Sequence, residues 1–84
     1  MATLTKQEKA WFNKLQKVLN ECPFDVSDFD SLTVGDKYIT VYKNKGEVDA
    51  HHSKYETDLC VSVQALDAEV FNLKLPFGVA SAAG

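Results

Sequence analysis

The N-terminal part of the chain carries sequence signals for both the start and the end of a helix. Thr5 and Glu8 have the spacing of a capping box, in which each side chain accepts a hydrogen bond from the backbone N–H of the other. Pro23 disfavours the helical conformation at Cys22, so the helix should end just before it. The sequence therefore predicts an amphipathic helix over residues 5–21. Its apolar face consists of Trp11, Phe12, Leu15, Val18, Leu19 and Cys22.

A β-hairpin is predicted next. Residues 32–43 carry β-branched and aromatic side chains on both sides of Gly35 and Asp36, which is typical of two strands joined by a tight turn. Side chains alternate along a strand, so one face of the second strand should pack and the other should be amphipathic. Ile39 and Val41 lie on the face that should pack. Tyr38, Thr40 and Tyr42 lie on the amphipathic face.

Residues 59–75 allow two predictions. Apolar side chains at steps of four and three residues would lie within about 80° of one another on a helix. The same residues also alternate well enough to form two short strands that reverse near Asp67 and Ala68. We favour the helix, because Asp67-Ala68 is a poor two-residue hairpin turn. The helical stripe consists of Leu59, Val63, Leu66, Val70 and Leu73.

The predicted fold class is α+β. An N-terminal amphipathic helix, an antiparallel β-hairpin and a C-terminal helix would pack with the helices on one face of the sheet. The alternative is a helix followed by a three- or four-stranded antiparallel sheet. The chain has 84 residues, so we expect residues 1–84 to form a single small domain. Residues 78–84 are small and should form a flexible tail.

Charge and hydropathy argue against several function classes. The net charge is −3 and every basic residue is a lysine. Without arginine the chain lacks the planar group that reads guanine or grips phosphate, so nucleic-acid binding is disfavoured. No apolar run approaches the roughly 20 residues that cross a bilayer. The N-terminus is polar where a signal peptide would be apolar, so we expect a cytoplasmic location and no membrane contact.

Both histidines lie in the polar stretch 49–60, close to one of the two cysteines. Adjacent residues on a helix point about 100° apart, so His51 and His52 are poorly placed to bind one ion. Cys22 and Cys60 are single and far apart, unlike the paired ligands of structural zinc sites. We therefore expect a solvated connection, two buried free thiols, no metal, no cofactor and no catalytic residue. A thiol or metal enzyme is the least favoured class.

An acidic run and two tyrosines are the candidate partner-binding residues. Asp25, Asp28 and Asp30 lack the glycine of a calcium loop and should instead form part of an acidic surface. Tyr38 and Tyr42 should lie on the outer face of the hairpin, and tyrosine is enriched in binding hot spots. We expect a non-enzymatic protein that binds another protein through its hairpin and acidic surface. The alternatives are a homodimeric structural module and, less favoured, an acidic mimic of nucleic acid.

Four segments carry a resemblance to a known group of proteins. They are residues 4–11, 14–23, 33–42 and 81–84, which read LTKQEKAW, KLQKVLNECP, TVGDKYITVY and SAAG. Together they resemble small accessory proteins of enterobacterial temperate phages, a group without an assigned activity. The resemblance implies a protein of the host cytoplasm that acts by binding host or phage macromolecules. It implies no catalytic motif and no site residue.

Overall fold

The computed structural model describes residues 2–80. Within that range the chain forms three helices and three strands. The strands make one antiparallel sheet in the order β1-β2-β3. This is an α+β fold, and it matches the predicted alternative of a helix with a three-stranded antiparallel sheet. The elements are α1 (Lys6–Asn20), β1 (Asp30–Leu32), β2 (Tyr38–Tyr42), α2 (Lys45–Tyr55), α3 (Leu59–Ala65) and β3 (Glu69–Lys74).

Helix α1 begins and ends where the sequence predicts. The Thr5 N–H donates to Glu8 Oε1 over 2.9 Å, and the Glu8 N–H donates to Thr5 Oγ1 over 3.2 Å. The capping box is therefore confirmed. Glu21 is the C-cap residue, two positions before Pro23. No residue of Lys6–Asn20 is buried, so α1 lies against little of the remaining chain.

The predicted hairpin is present, with a loop in place of a two-residue turn. β1 and β2 pair with Leu32 opposite Thr40. Gly35 adopts a φ of +91°, which a residue with a side chain rarely does. The Thr33 hydroxyl accepts the Gly35 N–H over 3.2 Å and donates to the Tyr38 carbonyl over 3.1 Å. This side chain closes the loop where strand pairing has ended.

Helix α2 occupies the stretch predicted to be a polar connection, so that prediction was wrong. Asn44 and Glu56 flank the helix in the left-handed conformation, with φ values of 58° and 51°. Only Val48 is buried along Lys45–Tyr55, so the sequence shows no apolar stripe of helical period. A helix that covers the core with one valine gives no such signal.

Residues 59–75 divide into a helix and a strand, so neither prediction for this segment holds along its whole length. α3 ends at Ala65, and β3 begins four residues later and pairs with β2. Between them Asp67 adopts a φ of +50°, which ends the helical path. The apolar stripe predicted to be one helical face is therefore shared by two elements. Only its first part, at Leu59 and Val63, lies on a helix.

A small core lies between one face of the sheet and the α2–α3 pair. Ile39 and Val41 of β2 point away from this core and lie opposite Leu73 and Phe71 of β3. Since α2 and α3 cover the other face, the sheet has one packed face and one open face. The core consists of Tyr42, Val48, Val63 and Ala68, with Leu32, Leu59 and Leu66 partly buried against it.

The C-terminal segment returns to the hairpin. The Val79 N–H donates to the Asp36 carbonyl over 2.9 Å, and Val79 is half-buried. Of the predicted flexible tail, residues 78–80 therefore include a backbone contact with the loop after β1. Residues 81–84 lie outside the described residues. That the chain is one domain stays a prediction.

Candidate protein-binding surface

The open face of the sheet carries an apolar groove. Val41 on β2 and Phe71 on β3 are directly opposite each other in the ladder and form its floor. Phe24, Val26 and Phe29, from the segment between α1 and β1, line the facing wall. Phe24 and Phe71 are 58% and 61% exposed, far more than anchored core aromatics. We refer to these five residues as the groove.

Hydrogen bonds hold the groove wall in place. The Phe29 N–H donates to the Val26 carbonyl over 3.0 Å and closes a turn. Asp28 ties this turn to the start of α2, because its carboxylate accepts the Asn44 N–H over 3.2 Å and its carbonyl accepts the Lys45 N–H over 3.2 Å. The wall is therefore a built part of the fold, although its apolar side chains are exposed.

Three carboxylates accompany the groove. Asp30 lines it directly, and Asp25 and Asp28 lie in its wall segment. The N–H and then the hydroxyl of Ser27 donate to Asp25 and lower the pKa of that carboxyl below its usual 3.8, so it carries its charge at neutral pH. Asp30 lies 3.7 Å from Lys45 Nζ, and both groups are largely exposed, so this pair contributes little to stability.

Of the two tyrosines predicted to be exposed, Tyr38 is exposed and Tyr42 is buried. Tyr42 is 1% exposed at the centre of the core, and Tyr38 is 40% exposed at the start of the same strand. The face of β2 that carries Thr40 and Tyr42 is the one covered by α2 and α3. The prediction of an exposed Tyr42 is therefore corrected, because the open face is that of Ile39 and Val41. Both faces of β2 are apolar enough to pack, so the strand alone does not decide between them.

Phe71 is the groove residue that sequence reasoning missed. It follows the turn between α3 and β3, and the helix predicted over residues 59–75 included it. Alternation of Phe71, Leu73 and Leu75 was the available signal, and it supported a strand with one apolar face. Phe24, Val26 and Phe29 are separated by polar residues in the sequence, and their common direction depends on the turn at Phe29.

Helix α1 carries a second exposed apolar surface. Its apolar face, here called the α1 stripe, includes Trp11, Phe12, Val18 and Leu19, which are 44%, 38%, 63% and 54% exposed. Phe12 contacts the ring of Phe77, with centroids 6.3 Å apart. Val18 and Leu19, in the C-terminal half of the stripe, are more exposed than Trp11 and Phe12. An amphipathic helix with its apolar face in water is incompletely packed.

The stretch with both histidines forms a partly buried hydrogen-bonded link between helices. His51 Nδ1 lies 2.9 Å from Ser62 Oγ, which lies 3.0 Å from Thr57 Oγ1. Ser62 is 0% exposed, so its hydroxyl has no path to a substrate. The His51 ring also packs on Tyr55, with centroids 4.6 Å apart. This arrangement joins α2 to α3 and has the burial of a structural contact.

The cysteines are free in the described part of the chain. Cys60 is half-buried in α3, whereas Cys22 is exposed after α1, which corrects its predicted burial. Within residues 2–80 no group of three or more His, Cys, Asp or Glu side chains is placed to hold a metal ion. The same residues include no helix with the length and hydropathy needed to span a membrane.

Comparison of the chain with protein-family models, with curated proteins and with solved structures found no match. The resemblance to phage accessory proteins stays a prediction.

Proposed function

We propose that this chain is a non-enzymatic binding module, of the phage accessory type, that holds an amphipathic and lysine-bearing segment of a host or phage protein in the groove. The observation that supports this proposal is the groove itself, an apolar concavity on a sheet face that α2 and α3 leave open. Contiguous exposed apolar surface on a small protein marks interaction sites far more often than isolated apolar residues do.

The groove has the composition of a binding hot spot. Aromatic side chains supply large contact area at low conformational cost, and Phe24 and Phe71 are its most exposed members. Both rings already lie at the surface, so a partner can contact them without a rearrangement of the core. Phe71 belongs to the floor, which two paired strands form, and Phe24 belongs to the wall beside it. Apolar burial would therefore supply most of the binding free energy.

Charge selects the kind of segment that fits. The stretch 21–36, which contains the groove wall, holds five acids and no lysine. A partner with lysines beside its apolar face would meet these carboxylates and associate faster at low salt. An acidic partner would be repelled by the same residues.

A peptide titration tests the proposal. One 18-residue helical peptide has leucines on one face and lysines on the other; a second has glutamates in place of the lysines. Both are titrated against the full chain by NMR at low chain concentration. We expect the lysine peptide to bind at least about tenfold more tightly and to shift the signals of Val41 and Phe71.

Two variants complete the titration. Phe71→Lys should abolish binding of the lysine peptide, because it removes an anchor and adds a repelling charge. Val34→Lys is the matched control, since Val34 is 71% exposed in the hairpin loop and lies outside the groove. Equal affinity for the two peptides, or binding that survives Phe71→Lys, overturns the proposal.

A further inference from the structure

The chain exposes more surface than a compact monomer of its size. Its accessible surface is 6855 Å², whereas about 5,000 Å² is expected for a compact monomer of this mass. The surplus is about 1,900 Å², and it is still about 1,300 Å² when residues 1 and 81–84 are counted as wholly unfolded chain. The α1 stripe and the groove are both exposed in this structure.

The α1 stripe has the chemistry that the groove requires. Its apolar residues recur at helical spacing, and α1 also carries Lys6, Lys9, Lys14 and Lys17. Residues 1–20 hold four lysines and one acid, a net charge of +3, whereas residues 21–36 carry −5. An isolated helix of α1's length is marginal in water, so it needs a surface to pack against.

We propose that the groove's occupant is a second copy of this chain: α1 of each protomer lies across the open sheet face of its partner, about a two-fold axis. This inference rests on the proposed function, since it names the lysine-bearing segment that the groove holds. Two such contacts form at once, because each protomer supplies one helix and one groove. The lysines of each α1 then lie beside the carboxylates of Asp25, Asp28 and Asp30 on the partner.

The surplus accessible surface is large enough for a homodimer interface. Two protomers have about 2,600–3,800 Å² of surplus surface between them, and stable homodimers bury about 2,000–5,000 Å² in total. The contact between Phe12 and Phe77 holds the N-terminal half of α1 beside the end of β3 of its own chain. Its C-terminal half, with Val18 and Leu19, is the more exposed part and is available to the partner.

Variants on the two surfaces test the pair by sedimentation equilibrium. The wild-type chain should be a dimer, and Val18→Glu and Phe71→Lys should each raise the dimer Kd at least about tenfold. Asn13→Glu, on the polar side of α1, and Val34→Lys are the charge-matched controls and should raise it by less than about threefold, since they change charge without removing an apolar contact. Circular dichroism would establish whether each variant is folded. The single tryptophan, Trp11, should shift its emission to shorter wavelength as the chain concentration rises.

Mixing the two variants gives the sharpest result. A chain with Phe71→Lys keeps its helix and a chain with Val18→Glu keeps its groove, so their mixture should form heterodimers through one intact contact. A helix-to-helix dimer would instead survive Phe71→Lys, and a sheet-to-sheet dimer would survive Val18→Glu; either result overturns the inference. A chain that stays monomeric and still binds the lysine peptide overturns the dimer alone. A monomer that fails to bind the peptide overturns the proposed function as well.

Discussion

Tyr42 occupies the centre of the core, and its hydroxyl should make the fold sensitive to alkali. Burial, together with the nearby carboxylates of Asp30 and Asp49, raises the pKa of Tyr42 above its usual 10.0. The folded chain therefore binds this proton more tightly than the unfolded chain does. The resulting stabilisation is fully present below pH 10 and is lost as the pH rises through the folded-state pKa. Urea unfolding between pH 8 and pH 11.5 would measure the loss.

Two phenylalanine variants assign that loss to Tyr42. Tyr42→Phe removes the titrating group and should flatten the free energy of unfolding above pH 10. Tyr38→Phe, on the same strand but 40% exposed, should retain the alkaline loss. An alkaline loss of the same size in Tyr42→Phe would contradict the prediction.

Ser62 is a buried polar side chain that links α2 to α3. Its hydroxyl is within hydrogen-bond distance of both His51 and Thr57, and it is 0% exposed. Ser62→Ala leaves two polar groups without this partner, so we expect a loss of about 1–3 kcal/mol in the free energy of unfolding. Ser53→Ala, at an exposed position of α2, should change it by less than about 0.5 kcal/mol. A loss for Ser62→Ala no larger than that of the control would show that the link is dispensable.

Helix α2 ends in a strained residue. Glu56 is its C-cap with a φ of 51°, a conformation that glycine adopts without cost. Glu56→Gly should therefore raise the free energy of unfolding by about 0.5–1 kcal/mol, after the greater freedom of glycine in the unfolded chain is counted. Glu47→Gly, in the first turn of the same helix, should lower it by about the same amount. Thermal unfolding of both variants measures the opposite signs, and a destabilised Glu56→Gly would contradict the argument.

The elements that local signals specify could be predicted, and those that tertiary contacts specify could not. The capping box and Pro23 act within a few residues of α1, so the sequence predicted its limits. Helix α2 covers the core with Val48 alone, so its sequence has no apolar periodicity. The left-handed residues at its two ends are not glycines, so no helix-end signal marks its limits either. The candidate site depends on which face of β2 the helices cover, and that choice is made by packing between distant parts of the chain.

Helix α1 lies outside the core that holds the remaining elements together. The core around Tyr42 draws its members from β2, α2, α3 and the turn before β3, with β1 at its margin. No residue of Lys6–Asn20 is buried in it. Stability should therefore differ between the two parts, with α1 opening well before the sheet in a single chain.

Amide hydrogen exchange would detect this difference and its dependence on chain concentration. In a dilute solution the amides of α1 should exchange far faster than those of β2, because an unsupported helix of this length opens readily. If α1 lies on a partner protomer, its protection should rise with concentration toward that of β2, since association stabilises only the bound form. The Val18→Glu chain should show weak α1 protection at every concentration, with β2 unchanged. Protection of α1 that equals that of β2 in dilute solution would mean that contacts within one chain suffice to hold the helix.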